Sequence, residues 1–413
     1  MAQATSARIR QFLAPMNFTS GHVNGLELHR GLQFGEPAAI GGQEEFAQIL
    51  WLAGRPGFVF ALFLAGWAAD VRFLEHFGVD YGRAMGLAED ELVRPRLLVA
   101  LALLSVPMLS TIGQVPSRMV LPMAIVSYVF TVAAVFLPLP PPFAKFAPWH
   151  RRFSCALRRC FVPDTTRAIP FVEVLVADGL TSFARVLFDL TLGSCVAART
   201  FDLSWAWPQN FDDKVPLSHA LEQCSQSRVP YLVWALPSLI RARQCIITSR
   251  HARDDFTAAL QRLNLAKYLS ALPVILFAYL STGRRLRPER VVFNAENFEA
   301  LWALAAVMNA VISLMWDMVM DWGLLQPSHG LRPVLLYRGI PGFYYAAMLC
   351  NALGRSLWTL RWSPQTMHFL GSSVLICMQE AAEVFRRCLW NVLRIEWESI
   401  QSGLHNECDV VKT

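Results

Sequence analysis

Asp317 and Asp321 stand four residues apart in Trp316-Asp-Met-Val-Met-Asp-Trp-Gly323, at the end of an apolar stretch. That spacing puts both carboxylates on one face of a helix. Arg355 and Trp358 lie three apart, and Glu383, Arg386 and Arg387 fall within one turn, with Glu380 a turn before. Lys267-Tyr268 opens another apolar run, Asp178, Arg185 and Asp189 punctuate a further one, and Arg228 begins a segment that carries Arg241 and Arg243 near its other end. Charged side chains are costly in hydrocarbon, so they face a cavity or one another. Arginine offers a planar fork that fits tetrahedral oxyanions, and lysine adds a compact point charge. Anion pores are lined with such groups. The carboxylates then keep binding moderate, pairing with the bases when the site is empty and surrendering them to an arriving anion.

Plainer readings stand beside this one. Asp317 and Asp321 fit a pair that snorkels at a helix end or a weak metal site. Glu383 with Arg386 and Arg387 fits a structural salt bridge, and Lys267 an interfacial anchor. Tyr268 and Trp358 fit packing aromatics. No HExxH motif accompanies the scattered histidines, so catalysis by histidine is not expected; the expected site holds no metal or cofactor and carries no enzymatic activity.

The elements that must position these residues are membrane helices. Of the 413 residues 54 % are hydrophobic and only 16 % charged, against about 25 % in soluble proteins. Mean hydropathy is +0.36. This excludes disorder, coiled coil and an ordinary soluble enzyme. Leu97–Ser117 and Met119–Ala144 contain no acid or base, and Ala300–Trp316 and Trp362–Gln379 are likewise free of them; a spanning helix needs roughly 20 such residues. The pattern predicts an all-α polytopic membrane protein with helices near 53–75, 95–114, 119–139, 147–163, 168–198, 229–250, 262–283, 297–322, 340–361 and 366–396. The fourth, crowded with arginine, also reads as interfacial. Leu137-Pro-Leu-Pro-Pro-Pro142 marks a loop. The two acid- and base-free spans make the front half a lipid-facing scaffold and the last six helices a hydrated pathway. The expected organisation is a cytoplasmic tail over 1–45, scaffold helices over 46–164, a transport domain over 165–400 and a cytoplasmic tail over 401–413. Partners are the lipid bilayer and a small anion, not nucleic acid, since net charge is only +6.

Lysine and arginine counts place 199–227 outside the cytoplasm and 241–262 inside. Segment 284–290 then falls outside with four arginines, against the rule. An even helix count puts both termini in the cytoplasm. The nine cysteines, Cys195 among them, read as inert buried thiols, with no disulfide framework.

The order Asp178, Asp189, Leu236-Pro237, Arg241, Gln244-Cys245, Lys267-Tyr268, WDxxxDWG, Arg355 with Trp358, and Glu383-Val-Phe-Arg-Arg387 resembles the EXS domain of phosphate exporters over about 165–400. The resemblance implies translocation of inorganic phosphate through the last six helices. Carried over, the pathway comprises Asp178, Arg228, Lys267, Tyr268, Asp317, Asp321, Arg355, Trp358, Glu383, Arg386 and Arg387. A homodimer is counted among the partners. Most relatives carry an N-terminal SPX domain, for which there is no room before the first helix here. The chain is therefore similar to the SPX-less, Golgi-resident members, which return luminal phosphate to the cytosol and affect retention of resident proteins. The competing reading is a non-transporting Golgi factor that sorts glycosyltransferases. A third, an alcohol phosphotransferase, fits poorly: Asp178-Gly179 and Ala184-Arg185 are separated by four residues where that signature has two, and two extra residues turn the arginine by about 200°.

Overall fold

The structure, a computed structural model, describes residues 42–92, 147–200, 217–285, 295–325, 331–337, 341–403 and 411–412. Residues 1–41 of the tail predicted over 1–45, the helices near 95–114 and 119–139, the proline-rich loop and most of 284–290 lie outside the described residues. The elements are α1 (Gly42–His76), α2 (Tyr81–Met85), α3 (Ala147–Phe161), α4 (Phe171–Ser182), α5 (Ala184–Thr200), α6 (Leu217–Ser225), α7 (Arg228–Arg250), α8 (Asp255–Leu269), α9 (Ala271–Arg285), α10 (Ala295–Trp316), α11 (Pro341–Ser356) and α12 (Pro364–Gln401). One two-residue antiparallel ladder pairs Val334–Leu335 with Val411–Lys412. The described residues form an all-α membrane protein. Three stretches, Gly54–His76, Asp255–Thr282 and Asn297–Asp321, are long and apolar enough to cross a bilayer.

The chain divides into two compact units, one comprising Met1–Glu36 and Thr359–Ile376, the other Pro37–Trp358 and Cys377–Thr413. In the first, the described part is the end of a 3₁₀ turn and the start of α12. The second carries every residue discussed below.

The apolar pattern is that of a bundle in lipid. Leu301, Leu304, Met308, Val311 and Met315 recur at helical spacing along α10 and are all exposed, whereas Ala306, Ser313 and Asp317 on the other side are buried. Inverting the usual arrangement is stable only where hydrocarbon replaces water outside. Leu232, Leu276, Leu349 and Leu353 extend the exposed apolar surface over α7, α9 and α11.

Several elements depart from the predicted helices. The segment 168–198 is two helices, parted at Phe183. The seventh predicted helix starts earlier, where Asp254 caps α8 by accepting hydrogen bonds from the Thr257 backbone N–H (2.7 Å) and hydroxyl (2.8 Å). Those bonds hold the Asp254 carboxyl below its ordinary range. That helix then breaks at Ser270, giving α8 and α9. The fourth is a 15-residue amphipathic helix, about 22 Å long at 1.5 Å per residue and short of a ~30 Å core. Its Arg159 pairs with Glu173 at 3.0 Å.

Cys195 is not an inert thiol. It forms a disulfide with Cys224, joining the end of α5 to α6, and Cys224 falls in the segment 199–227 predicted to lie outside the cytoplasm. Residues 29 apart in sequence meet there because α6 folds back against α5. This disulfide end of the bundle also holds the start of α7, where Arg228 lies against Tyr279 of α9.

α1 runs parallel to α12: Arg55 meets Glu380, Gly66 lies against Cys388, and Asp70 accepts a hydrogen bond from Asn391. The start of α1 and the end of α12 therefore lie at opposite ends of the bundle, a departure from the even count. α1 is also no mere scaffold, since Arg55 and Asp70 are buried against the later helices.

At the end of α10 the residues Asp317–Asp321 form a π-turn, with Trp322 N donating to Asp317 O at 2.9 Å. Gly323 ends it at φ +61°, and a Cβ there would stand 2.6 Å from the Trp397 ring. Both the left-handed backbone and the close approach demand glycine. Beyond it Arg332 ties Trp322 O to the buried Glu396, which accepts from Leu336 N and Tyr344 Oη. Gly323→Ala should cost about 1–3 kcal/mol, read as a lower Tm in detergent. Gly342→Ala, where a Cβ meets open space, should leave Tm unchanged.

Candidate functional site

Asp317 is the hub. Its Oδ2 accepts from Arg355 Nη2 at 2.5 Å and Asn351 Nδ2 at 3.1 Å, with Arg386 Nη1 at 3.6 Å; Lys267 Nζ lies 3.7 Å from its Oδ1. Its side chain is 2 % exposed. The snorkelling reading does not hold, because burial this deep needs the donors that converge on it. Lys267 also reaches Asp321 Oδ2 at 3.3 Å, so both carboxylates of the π-turn do share a face.

Lys267 and Tyr268 join two halves of the site. Adjacent residues point about 100° apart on a helix, so Lys267 faces α10 while Tyr268 faces α4 and α7. Tyr268 Oη donates to Asp178 Oδ1 at 2.6 Å, and the same oxygen accepts from Arg241 Nε at 2.8 Å. The Arg241 guanidinium lies 4.7 Å from the Tyr268 ring centroid and also donates to Gln244, whose amide donates to Glu173 O. Inside the bundle these aromatic and hydrogen-bonded contacts offset the loss of hydration.

On α12, Arg386 grips Glu383 with Nε at 2.8 Å and Nη2 at 2.6 Å, and its Nη1 donates to Asn351 Oδ1 at 3.3 Å. Gly354 permits this. A Cβ at that position would lie 3.3 Å from Arg386 Cδ, so a small residue lets α11 and α12 approach. Arg387 turns the other way. Its Nε donates to Ser182 Oγ at 2.8 Å and its Nη2 to Thr181 Oγ1 at 2.9 Å, and it lies over Trp390. Ser182 Oγ in turn donates to Glu383 Oε1 at 2.7 Å. Among the described residues no carboxylate lies within 4 Å of Arg387, which is buried.

Nine of the eleven predicted residues thus form one connected network: Asp178, Lys267, Tyr268, Asp317, Asp321, Arg355, Glu383, Arg386 and Arg387. Two stand apart. Arg228 lies at the disulfide end with Nε 3.4 Å from Tyr279 Oη, and Trp358 packs edge-on against Trp302 with centroids 5.6 Å apart. Asn351, Ser182 and Thr181 were missed as partners, although Asn351 precedes Arg355 by four residues and Thr181-Ser182 follows Asp178 by three and four, each on the same helical face. Arg241, which is not among the eleven, joins the network through Asp178. Among the described residues no group of three histidine, cysteine, aspartate or glutamate side chains could hold a metal ion.

Known proteins share this chain's pattern. The EXS family model matches residues 50–400. A Xenopus laevis protein, xenotropic and polytropic retrovirus receptor 1 homolog, is 28 % identical over 242 residues, 57 % of this chain and 33 % of that protein. Human solute carrier family 53 member 1 is 27 % identical over the same share of each. Protein ERD1 homolog 1 of Schizosaccharomyces pombe is 29 % identical over 56 % of this chain and 58 % of that protein. The chain spans about a third of the first two and more than half of the third. It belongs to the EXS family and is an integral membrane protein.

Removing one member of a buried ionic cluster leaves the others uncompensated. Asp317→Asn should lower stability by about 3–5 kcal/mol, and adding Arg355→Gln should recover part of that loss. A double-mutant cycle on Tm in detergent measures both.

Proposed function

We propose that this member of the EXS family moves inorganic phosphate across its membrane through the network centred on Asp317 and Arg387. The observation that carries the reading is Arg387, a buried guanidinium bonded to two hydroxyls and, among the described residues, to no carboxylate. Lys267, Arg241, Arg355, Arg386 and Arg387 face Asp178, Asp317, Asp321 and Glu383. Five bases against four carboxylates leave one positive charge in excess, which an entering oxyanion neutralises.

The steps follow from the bonds. Phosphate approaching Arg387 accepts from its fork and from Ser182 Oγ, which swings from Glu383. Glu383 remains on Arg386. A second oxygen competes with Asp317 for Arg355, and the displaced carboxylate stays on Lys267 and Asn351. Every base keeps a partner at each stage, so the anion is neither excluded nor trapped. Export to the cytosol of phosphate released in the Golgi lumen is the physiological form we assign, in keeping with the likeness to the ERD1 homolog. The catalytic alternative has no support in the spacing of Asp178-Gly179 and Arg185.

Purified chain in proteoliposomes should take up radiolabelled phosphate in preference to sulfate. Arg387→Gln should reduce that uptake by about a hundredfold, the cost of a lost charge-assisted pair at a buried site, while Arg228→Gln stays near wild type. Wild-type liposomes without phosphate flux, together with capture of glycosyltransferase tails, would favour the sorting role instead.

A further inference from the structure

We propose that Arg55 and Arg185 form a second oxyanion station, nearer the disulfide end of the bundle than Arg387. This rests on the reading of the site as a phosphate path. Arg55 of α1 pairs with Asp189 Oδ2, and its Nε lies 3.2 Å from Glu380 Oε2. Arg185 Nη2 lies 3.3 Å from the other Asp189 oxygen, and its guanidinium sits 4.8 Å from the Phe188 ring centroid and 5.9 Å from that of Trp234. Arg55, Asp189 and Glu380 are all buried. Three helices, α1, α5 and α12, meet at this point.

The position fits a relay. Asp189 lies seven residues beyond Ser182, and Glu380 seven before Arg387; Ser182 and Arg387 are in contact. At 1.5 Å per residue α12 sets Glu380 about 10 Å from Arg387, and Asp189, on the helix that follows Ser182, meets it there through Arg55. α5 runs from Arg185 through Asp189 to Cys195, so the displacement is toward the disulfide. Disulfides persist in oxidising compartments, which makes this the extracytoplasmic side of the path.

The bonding fits a ligand as well. Arg55 Nε, Arg185 Nε and Asp189 Oδ1 are buried atoms that make no hydrogen bond, although their charges are within ion-pair reach. Two guanidinium groups thus keep donors in hand. A buried ionic cluster is a poor device for stability alone, since apolar replacements often serve as well. Among the described residues two bases here face two carboxylates, unlike the excess around Arg387, so an anion must displace Asp189 or Glu380 to bind. Weak, competitive binding suits a station on the way in or out.

Proteoliposomes of uniform orientation test it, with inorganic phosphate applied to either face. Glu380→Gln frees a base for the anion. It should lower the half-saturating phosphate concentration at the disulfide-bearing face by about tenfold, equivalent to about 1.4 kcal/mol, and leave the opposite face unchanged. Arg55→Gln should raise it at that face alone, and Arg55→Lys should restore part of the loss. Equal changes at both faces, or none, with wild-type flux intact would overturn the station and leave the phosphate path standing. Absence of flux in the wild-type chain would overturn both. Because Glu380→Gln predicts tighter binding, a loss of folding cannot imitate the expected result.

Discussion

The carboxylate of Asp317 sets the terms for the rest of the molecule. An ion held this deep must be surrounded by donors, and it is, by Lys267 from α8, Asn351 and Arg355 from α11, and Arg386 from α12. Three helices are locked together by one side chain. Two of those bases reach a second carboxylate, Lys267 to Asp321 and Arg386 to Glu383. The network grows outward from a single desolvated charge until the charges nearly balance.

The bundle reaches its other half through backbone irregularities. The break at Ser270 lies just past Lys267-Tyr268, and the parting at Phe183 lies just past Thr181-Ser182. The π-turn holds Asp317 and Asp321. A regular helix saturates its own carbonyls and amides and presents side chains at fixed angles. Interruptions within a span are tolerated where neighbouring groups re-satisfy the backbone, and they gather at functional sites.

Much of this was legible in the residues. Charges inside apolar runs announce themselves by their cost, so Asp178, Lys267, Asp317, Arg355, Glu383, Arg386 and Arg387 stood out and do meet. The helical face shared by Asp317 and Asp321 survived even the change from α to π geometry. Other features depend on contacts between distant segments. Arg55 looks like a lone flanking base near the start of α1 until α5 and α12 are brought beside it. Cys195 sits in an apolar run like the other buried thiols, and nothing local distinguishes it before α6 folds back. Arg228 has the same residue type as its supposed companions, yet its place at the start of α7 keeps it at one end of the bundle.

The close approach at Gly354 has a bearing on which parts of the molecule are free to rearrange. With the α11 backbone pressed against its methylenes, the Arg386 stem is walled in, and its guanidinium is a fixed post. Exchange of partners at that post falls to the lighter groups around it: the hydroxyl of Ser182 and the carboxylates. The cation at this junction of helices is thereby the component that travels least.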